Sequence, residues 1–315
     1  MLERVILAAP RGFCAGVSYA IEVLDLALKA YGPPVYMRHA IVHNEHVVRS
    51  FEQRGVIFTE EISEIPPGST VVFSAHGVSP AVRQEAKERN LRVIDATCPL
   101  VSKVHREVER FAEKGYHILY IGHAGHVEAQ GTMGHAPEQV TLVQTVQDAE
   151  QVQVPEGNPV AVATQTTLSV DEVAQILAVL RRRFPNLRTP PKEDICYATT
   201  NRQNAVKRLA QVCDLILVVG SRASSNSNRL AEVAREAGVP AYLLLESEQV
   251  QQEWRTDYRV VGITSGASTP ESSVEAIIGE LLKGQDHVPV ETLQTVTEDV
   301  VFLPPRALVA NAQRT

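Results

Sequence analysis

The sequence predicts an α/β fold made of three small α/β lobes with mostly parallel sheets. Three observations carry that expectation. Short Val/Ile/Leu-rich runs recur along the whole 315-residue chain. Between them lie segments with apolar residues at three-to-four spacing, the mark of helices with one buried face. Aromatic residues make up only 5% of a chain that is 44% hydrophobic, which suits the aliphatic cores of parallel sheets covered on both faces. Strand–helix alternation of this kind implies right-handed crossovers between parallel strands.

Taken in order, RVILAAP (4–10) reads as a strand and VSYAIEVLDLALKAYG (17–32) as the helix after it. TVVFSAHG (70–77) precedes the helical SPAVRQEAKERN (79–90), and LRVIDATC (91–98) precedes SKVHREVERFAEKG (102–115). HILYIGHAGH (117–126) and PVAVATQTT (159–167) are strands, the second leading into SVDEVAQILAVLRRRFP (169–185). DLILVVGSRASSNSN, AYLLLES and YRVVGITSGAST complete the strand set, each run giving way to small polar residues. Several helical segments open on Ser or Asp and close at Gly or Pro, as helix boundaries do. The Pro-rich FPNLRTPPKEDI (184–195) reads as a crossing between domains, and VPVETLQTVTEDVVFLPP (288–305) alternates like a strand. The expected division is a first lobe over 1–97, a second over 98–194, a third over 195–284, and a tail over 285–315 that packs back on another lobe.

Charge and composition narrow the function. A net charge of −7 and a sequence pI near 5.8 argue against nucleic-acid binding. No apolar run reaches the roughly 18 residues of a membrane span. The N-terminus runs straight into a motif and does not resemble a signal peptide. Four cysteines, widely spaced and without a CxxC pair, do not form a disulfide framework. The expectation is a reduced, cytoplasmic enzyme with neither membrane nor nucleic-acid partners.

Cys213 lies beside the apolar run DLILVVG and belongs in a core. Cys14, Cys98 and Cys196 differ: each sits among Gly, Ala, Thr or Pro, at intervals close to a third of the chain. A single cysteine of this kind reads as a buried thiol. Three at loop positions after strands suit a zinc ion or an iron–sulfur cluster, and three ligands leave a four-iron cluster one short. Ligands of open α/β sheets bind at the carboxyl ends of strands, where three lobes can converge.

Of ten histidines, His43, His76 and His126 have suggestive surroundings, whereas His117 and His287 read as incidental. With SRASSNSN and TSGAST, these loops offer His, Ser, Asn and backbone N–H donors of the kind that cradle phosphates. Ordinary helix capping accounts for any one of them alone. Glu128 shares a loop with His126 and is a candidate proton donor, and TQTT (164–167) supplies hydroxyls that could relay protons. No Walker motif, GxGxxG fingerprint or HExxH zinc signature is present.

Nine ordered motifs, APRGFCAGV, HNEHVV, SAHGVSP, DATCPLVSKVH, GHVEAQGTMG, ATQTTLSVDE, DICYATTNRQ, VVGSRASSNSNRL and GITSGASTPE, resemble the IspH/LytB family of 4-hydroxy-3-methylbut-2-enyl diphosphate reductases. The resemblance runs from about residue 4 to residue 305. It implies three α/β lobes around a central 4Fe–4S cluster, held by Cys14, Cys98 and Cys196 with one iron open to substrate. It implies reductive removal of an allylic hydroxyl, the last step of the methylerythritol phosphate route to isopentenyl and dimethylallyl diphosphate. The electron donor it implies is a ferredoxin or flavodoxin. Position by position, His43, His76, His126, Ser224, Ser225, Asn226 and Ser268 match the diphosphate pocket, Glu128 the proton donor, and Thr166 a hydroxyl-contacting threonine. His126 thus stands beside Glu128 and Thr166 in the catalytic set. Two positions depart from the family pattern: Val127 replaces Pro and His135 replaces Gln. Two other classes, an iron–sulfur electron carrier or sensor and a zinc-dependent hydrolase using the same thiolates, stand as alternatives. The Ser/Asn loops count against the first, and bound zinc in a colourless protein marks the second.

Overall fold

The structure, a computed structural model, describes residues 1–285 and 287–314. Its strands in chain order are β1 (Arg4–Ala9), β2 (Val35–Arg38), β3 (Val56–Thr59), β4 (Thr70–Phe73), β5 (Arg92–Asp95), β6 (His117–Ile121), β7 (Val140–Val143), β8 (Val160–Thr164), β9 (Leu215–Val219), β10 (Ala241–Leu244), β11 (Val260–Ser265) and β12 (Val290–Gln294). The helices that position the site are α1 (Ala15–Tyr31), α2 (Glu45–Glu52), α3 (Pro80–Glu88), α4 (Pro99–Glu113), α5 (Val127–Met133), α6 (Val146–Gln151), α7 (Val170–Arg183), α8 (Tyr197–Leu209), α9 (Ser225–Glu236), α10 (Trp254–Asp257), α11 (Glu271–Leu281) and α12 (Arg306–Ala312).

The strands form three all-parallel sheets, in the orders β10-β9-β11-β1-β12, β3-β2-β4-β5 and β7-β6-β8. Two compact units hold them. One comprises Met1–Ala15, His43–Val47 and Tyr197–Val300 and carries the five-stranded sheet; the other comprises Gly16–Val42, Val48–Cys196 and Val301–Thr315 and carries the other two.

In the first unit the interior strand β1 shows why a parallel sheet needs continuous apolar sequence. Ile6 and Ala8 pack on one face against Ala205, Val206 and Leu209 of α8 and Leu230 and Ala234 of α9. Val5 and Leu7 pack on the other against Val274, Ile277 and Leu281 of α11. Burial of each such Val, Leu or Ile contributes about 1.5–3 kcal/mol. Cys213 lies inside the first of these cores, and a side chain at Gly262 would crowd its sulfur.

In the second unit β6 divides its residues in the same way. Ile118 and Tyr120 face Val104, Val108 and Phe111 of α4, while Leu119 and Ile121 face Val173, Ile176 and Leu180 of α7. The four-stranded sheet packs Val71 and Phe73 against Ile62, Ile65, Val78 and Ala86. Ser79, Thr145, Ser169 and Ser224 cap α3, α6, α7 and α9 with their side-chain oxygens.

The chain departs from the expected division in several places: Cys14 and His43, expected in the first lobe, lie in the unit of the five-stranded sheet, and Cys196, expected in the third, lies in the other unit. Strand β1, expected with residues up to 97, pairs instead with β11 and β12, so the N-terminal strand completes the sheet of the third lobe. The stretch from 285 is not a single tail: β12 extends the five-stranded sheet, while Phe302 packs edge-on against Tyr19, with ring centroids 6.5 Å apart, and Asn311 donates to the Tyr31 hydroxyl at 3.1 Å. Arg188, inside the Pro-rich stretch, bridges to Ala161, and the chain passes between the units after Cys196.

Candidate functional site

Every residue singled out from the sequence for chemistry lies in or just after a loop that leaves the carboxyl end of a parallel strand, or at a helix start. Each unit carries its own set.

In the first unit, neighbouring strands β9, β11 and β1 open into the loops of Ser224–Asn226, Ser268 and Cys14. Gly266 N–H donates to Val219 O at 3.0 Å, which draws the first two loops together. Gly220 and Gly266 both have to be glycine, because a Cβ at either position would overlap Ser227. Ser224 Oγ accepts the Ser227 amide at 3.3 Å, and Ser268 Oγ donates to the His43 carbonyl at 3.2 Å. Asn44 Oδ1 accepts the amides of His46 and Val47 and so starts α2. Asn226 departs from this mutual satisfaction. It is 4% exposed, and among the described residues neither its amide nitrogen nor its amide oxygen has a partner. A buried, unsatisfied amide costs about 1–3 kcal/mol, which a ligand with matching acceptors would recover.

Cys14 is held from both sides. Its amide donates to Ala267 O at 3.2 Å, and two residues earlier Gly12, at φ +66°, donates to Ser265 Oγ at 2.8 Å. The Gly12 carbonyl accepts from Arg202 Nη2 at 2.8 Å. Arg202 is fully buried and pairs with Glu298 at 3.1 Å.

In the second unit, adjacent strands β4 and β5 lead to His76 and Cys98, and adjacent β6 and β8 lead to His126–Glu128 and Thr166. Cys98 is the residue before the first turn of α4, with Pro99 after it, and its amide donates to Ala75 O at 3.0 Å. Asp95 shapes that turn by accepting Thr97 N at 2.9 Å and Arg83 Nη2 at 2.6 Å. Burial raises the Asp95 pKa, but the bonds from Thr97 and Arg83 outweigh it and hold the carboxyl below its usual range.

Cys196 donates its amide to Thr166 O at 3.1 Å. The loop before it is tied to α4 by Lys103, whose Nζ donates to Lys192 O, Glu193 O and Asp194 Oδ1 at 2.8–3.0 Å. Burial, reinforced by Glu107, pushes Asp194 up to about 7 against the pull of Lys103 and the Thr164 amide. Cys14, Cys98 and Cys196 are all half-buried and none of the four cysteines is in a disulfide, whereas Cys213 is buried and its thiol is pushed up to about 12 by desolvation.

Glu128 sits in the first turn of α5, behind His126, whose Nδ1 accepts the Glu128 amide at 3.2 Å. The residue is 2% exposed. Thr166 donates to both of its oxygens, from the backbone N–H at 2.7 Å and from Oγ1 at 3.0 Å. Burial raises the Glu128 pKa to about 7, with the two Thr166 bonds opposing that rise. The acid is therefore about half protonated near neutrality and loses its proton as pH rises through 7. His76 Nδ1 lies 3.2 Å from Ser74 Oγ, and its ring stands edge-on to that of His126 with centroids 6.0 Å apart.

The structure thus groups His43, Ser224, Ser225, Asn226, Ser268 and Cys14 in one unit, and His76, Cys98, His126, Glu128, Thr166 and Cys196 in the other. Among the described residues no set of three or more His, Cys, Asp or Glu side chains forms a metal-holding group. Sequence reading missed the Arg202–Glu298 pair, the Lys103–Asp194 anchor and the full burial of Ser227. In the sequence these look like ordinary helix and loop residues, and only the fold shows what they hold. His117, read as incidental, is buried and bonds Thr141 Oγ1 at 2.8 Å within its sheet.

The fold and these loops define a class: an α/β protein of three parallel sheets whose strand ends present thiols, a buried protonatable acid and Ser, Asn and His side chains. Within that class the chain belongs to the LytB protein family, which matches residues 5–282. It is 54% identical over 306 residues to the 4-hydroxy-3-methylbut-2-enyl diphosphate reductase of Acidothermus cellulolyticus, covering 96% of this chain and 89% of that one. It is 51% identical over 307 residues to the protein of the same name from Neisseria meningitidis serogroup C, covering 97% and 95%. A solved structure described as the E-1-hydroxy-2-methyl-but-2-enyl-4-diphosphate reductase from Plasmodium falciparum superposes with a TM-score of 0.96 at 38% identity, over 100% of this chain and 99% of that one.

Proposed function

We propose that this protein is a 4-hydroxy-3-methylbut-2-enyl diphosphate reductase. It takes an allylic diphosphate that carries a terminal hydroxyl, adds two electrons and two protons, and breaks the allylic C–O bond. The products are water and a mixture of isopentenyl and dimethylallyl diphosphate. The relatives of the same name and the fold they share support the reading. The observation that carries it is a chain of contacts: buried Glu128, near half-protonation at neutral pH, is gripped by Thr166, whose carbonyl receives the Cys196 amide.

Cys14, Cys98 and Cys196 fit an iron–sulfur cluster. All three are half-buried thiols in loops whose backbone amides are already committed, unlike core-bound Cys213. In this reading they hold a 4Fe–4S cluster, which supplies the electrons and a Lewis-acidic iron when bound. Glu128 delivers the proton that makes the hydroxyl a water leaving group. Thr166 holds the Glu128 carboxyl by two bonds, so the acid points one way and is kept out of water. Asn226 donates its orphaned amide to the diphosphate, joined by Ser224, Ser225, Ser268, His43, His76 and His126. These donors are neutral or histidine, so they orient the anion without pinning it by lysine or arginine, and the allyl group is fixed for reaction. The electrons reach the protein from a ferredoxin or flavodoxin in the cytoplasm. Among the described residues no helix is long and apolar enough to cross a membrane.

Anaerobic turnover of the allylic diphosphate with a chemical reductant, alongside iron, sulfide and zinc analysis, tests the reading. Both isoprenyl diphosphates and about four irons per chain are expected. Stoichiometric zinc without iron would establish a hydrolase instead, and iron without turnover an electron carrier.

A further inference from the structure

His135 stands where the resembled family has Gln, and the function proposed above gives it no task. The structure gives it two contacts. Its Nδ1 lies 2.7 Å from Glu109 Oε1 on α4, and its Nε2 lies 3.3 Å from the carbonyl of Val78, two residues past His76. Both neighbours are oxygen acceptors, so either ring nitrogen has something to donate to. The ring is 7% exposed and lies over His105 of α4 at a centroid distance of 4.2 Å and a tilt of 34°.

His105 is buried, and burial followed by the neighbouring His135 pushes it down to about 3, so it packs as a neutral ring. It forms the floor under Gly77: that residue has φ +76°, and a Cβ there would sit 2.5 Å from His105 Cε1. From the other side Gly131 of α5 closes on the Gly77 carbonyl, where an added Cβ would stand 3.2 Å away. The His76–Gly77–Val78 segment is therefore pinched between two helices, and the His135 side chain faces both the segment's backbone and α4.

We infer that His135 is a positioning residue that clamps the His76 loop onto α4, and so sets the contribution of His76 to holding the substrate's anionic end. The inference rests on the reading of His76 as a diphosphate donor. A ring seated beside Glu109 on α4 that reaches the Val78 carbonyl ties the loop to that helix, whereas an apolar side chain of similar bulk would fill the space and release the carbonyl.

The test compares the holoenzyme with His135→Gln, His135→Leu, His76→Ala and the double variant His76→Ala/His135→Leu. In His135→Leu, KM for the allylic diphosphate should rise about tenfold with kcat nearly kept, as when a substitution removes binding that ground and transition states share. His135→Gln can still donate to the Val78 carbonyl and should restore KM to within about threefold. His76→Ala should raise KM, and adding His135→Leu to it should change nothing more, because the clamp acts through His76. Hydrogen exchange should quicken over residues 74–79 in His135→Leu and stay native in His135→Gln. If His76→Ala leaves KM unchanged, the reading of His76 fails and the functional half of the inference with it. If His76→Ala raises KM while His135→Leu has native KM or native exchange, or if the two KM effects multiply, the clamp itself is overturned.

Discussion

The two units arrange the polar groups at their strand ends in different ways. The five-stranded unit presents Ser224, Ser268 and Asn226 there, and the Asn226 amide is buried with no partner among the described residues. Glycines at 220 and 266 make room for that loop cluster. The other unit sets several buried titratable groups against partners: Glu128 against Thr166, Asp194 against Lys103, His135 against Glu109. An unpartnered amide is stabilised by ligand, so the first arrangement suits binding. A buried acid with fixed partners is tuned before any ligand arrives, so the second suits proton transfer. In the proposed function the first unit brings the Asn226 amide to binding and the second brings the Glu128 acid to chemistry, and each contribution can be broken separately.

The largest effect falls on the thiols. Serine at Cys14, Cys98 or Cys196 should abolish turnover and lower iron content, while Cys213→Ser should keep both, because its sulfur lies in a core shared with Ile216 and Leu230. Iron analysis and anaerobic assay of the four variants check this, and equal iron loss in Cys213→Ser would undo the assignment.

Next comes Glu128→Gln, which keeps size and an oxygen to accept the Thr166 N–H but removes the transferable proton. It should lower kcat by about 10²–10⁴-fold, the range of general acid catalysis, with KM and cluster content near native. Single-turnover kinetics beside substrate titration separate the two. Weakened affinity with intact turnover would move Glu128 to the binding side of the comparison.

Asn226→Ala sharpens the other side. Loss of a hydrogen bond to a charged group costs about 1.5–3 kcal/mol, so KM should rise about 10–100-fold with kcat within a few-fold of native. Because the amide is already unsatisfied without ligand, the substitution should leave the melting temperature unchanged or raised. A marked drop in melting temperature would show that Asn226 serves the fold.

Much of this arrangement was legible before any coordinates. Alternation of aliphatic runs with amphipathic segments predicted parallel sheets, because strands buried on both faces have no polar side to hide, as Val5–Ala8 shows. The three loop cysteines stood apart from Cys213 by their neighbours alone. The candidate residues each fall in or after a strand-end loop or at a helix start. What stayed hidden depends on partners far away in sequence. Strand order is set by crossovers, so nothing in RVILAA reveals that β1 lies between β11 and β12. Arg202 reads as one more charge on a helix until Gly12 and Glu298 close around it. Lys103 and Asp194 are unremarkable letters 91 positions apart that together fix the loop before Cys196. His135 was visible as a departure, but its reach to Val78 was not.

The central claim is that the protein tunes Glu128 by burial to hold its proton near neutrality. The most direct test is kcat against pH, measured anaerobically with saturating substrate and a chemical reductant for the native protein and Glu128→Gln. The carboxyl is protonated below about 7 and ionised above it, so native kcat should fall tenfold per pH unit on the alkaline side. Glu128→Gln should be slow and lack that limb. A native profile that stays flat through this range, or the same alkaline limb in Glu128→Gln, would contradict the account.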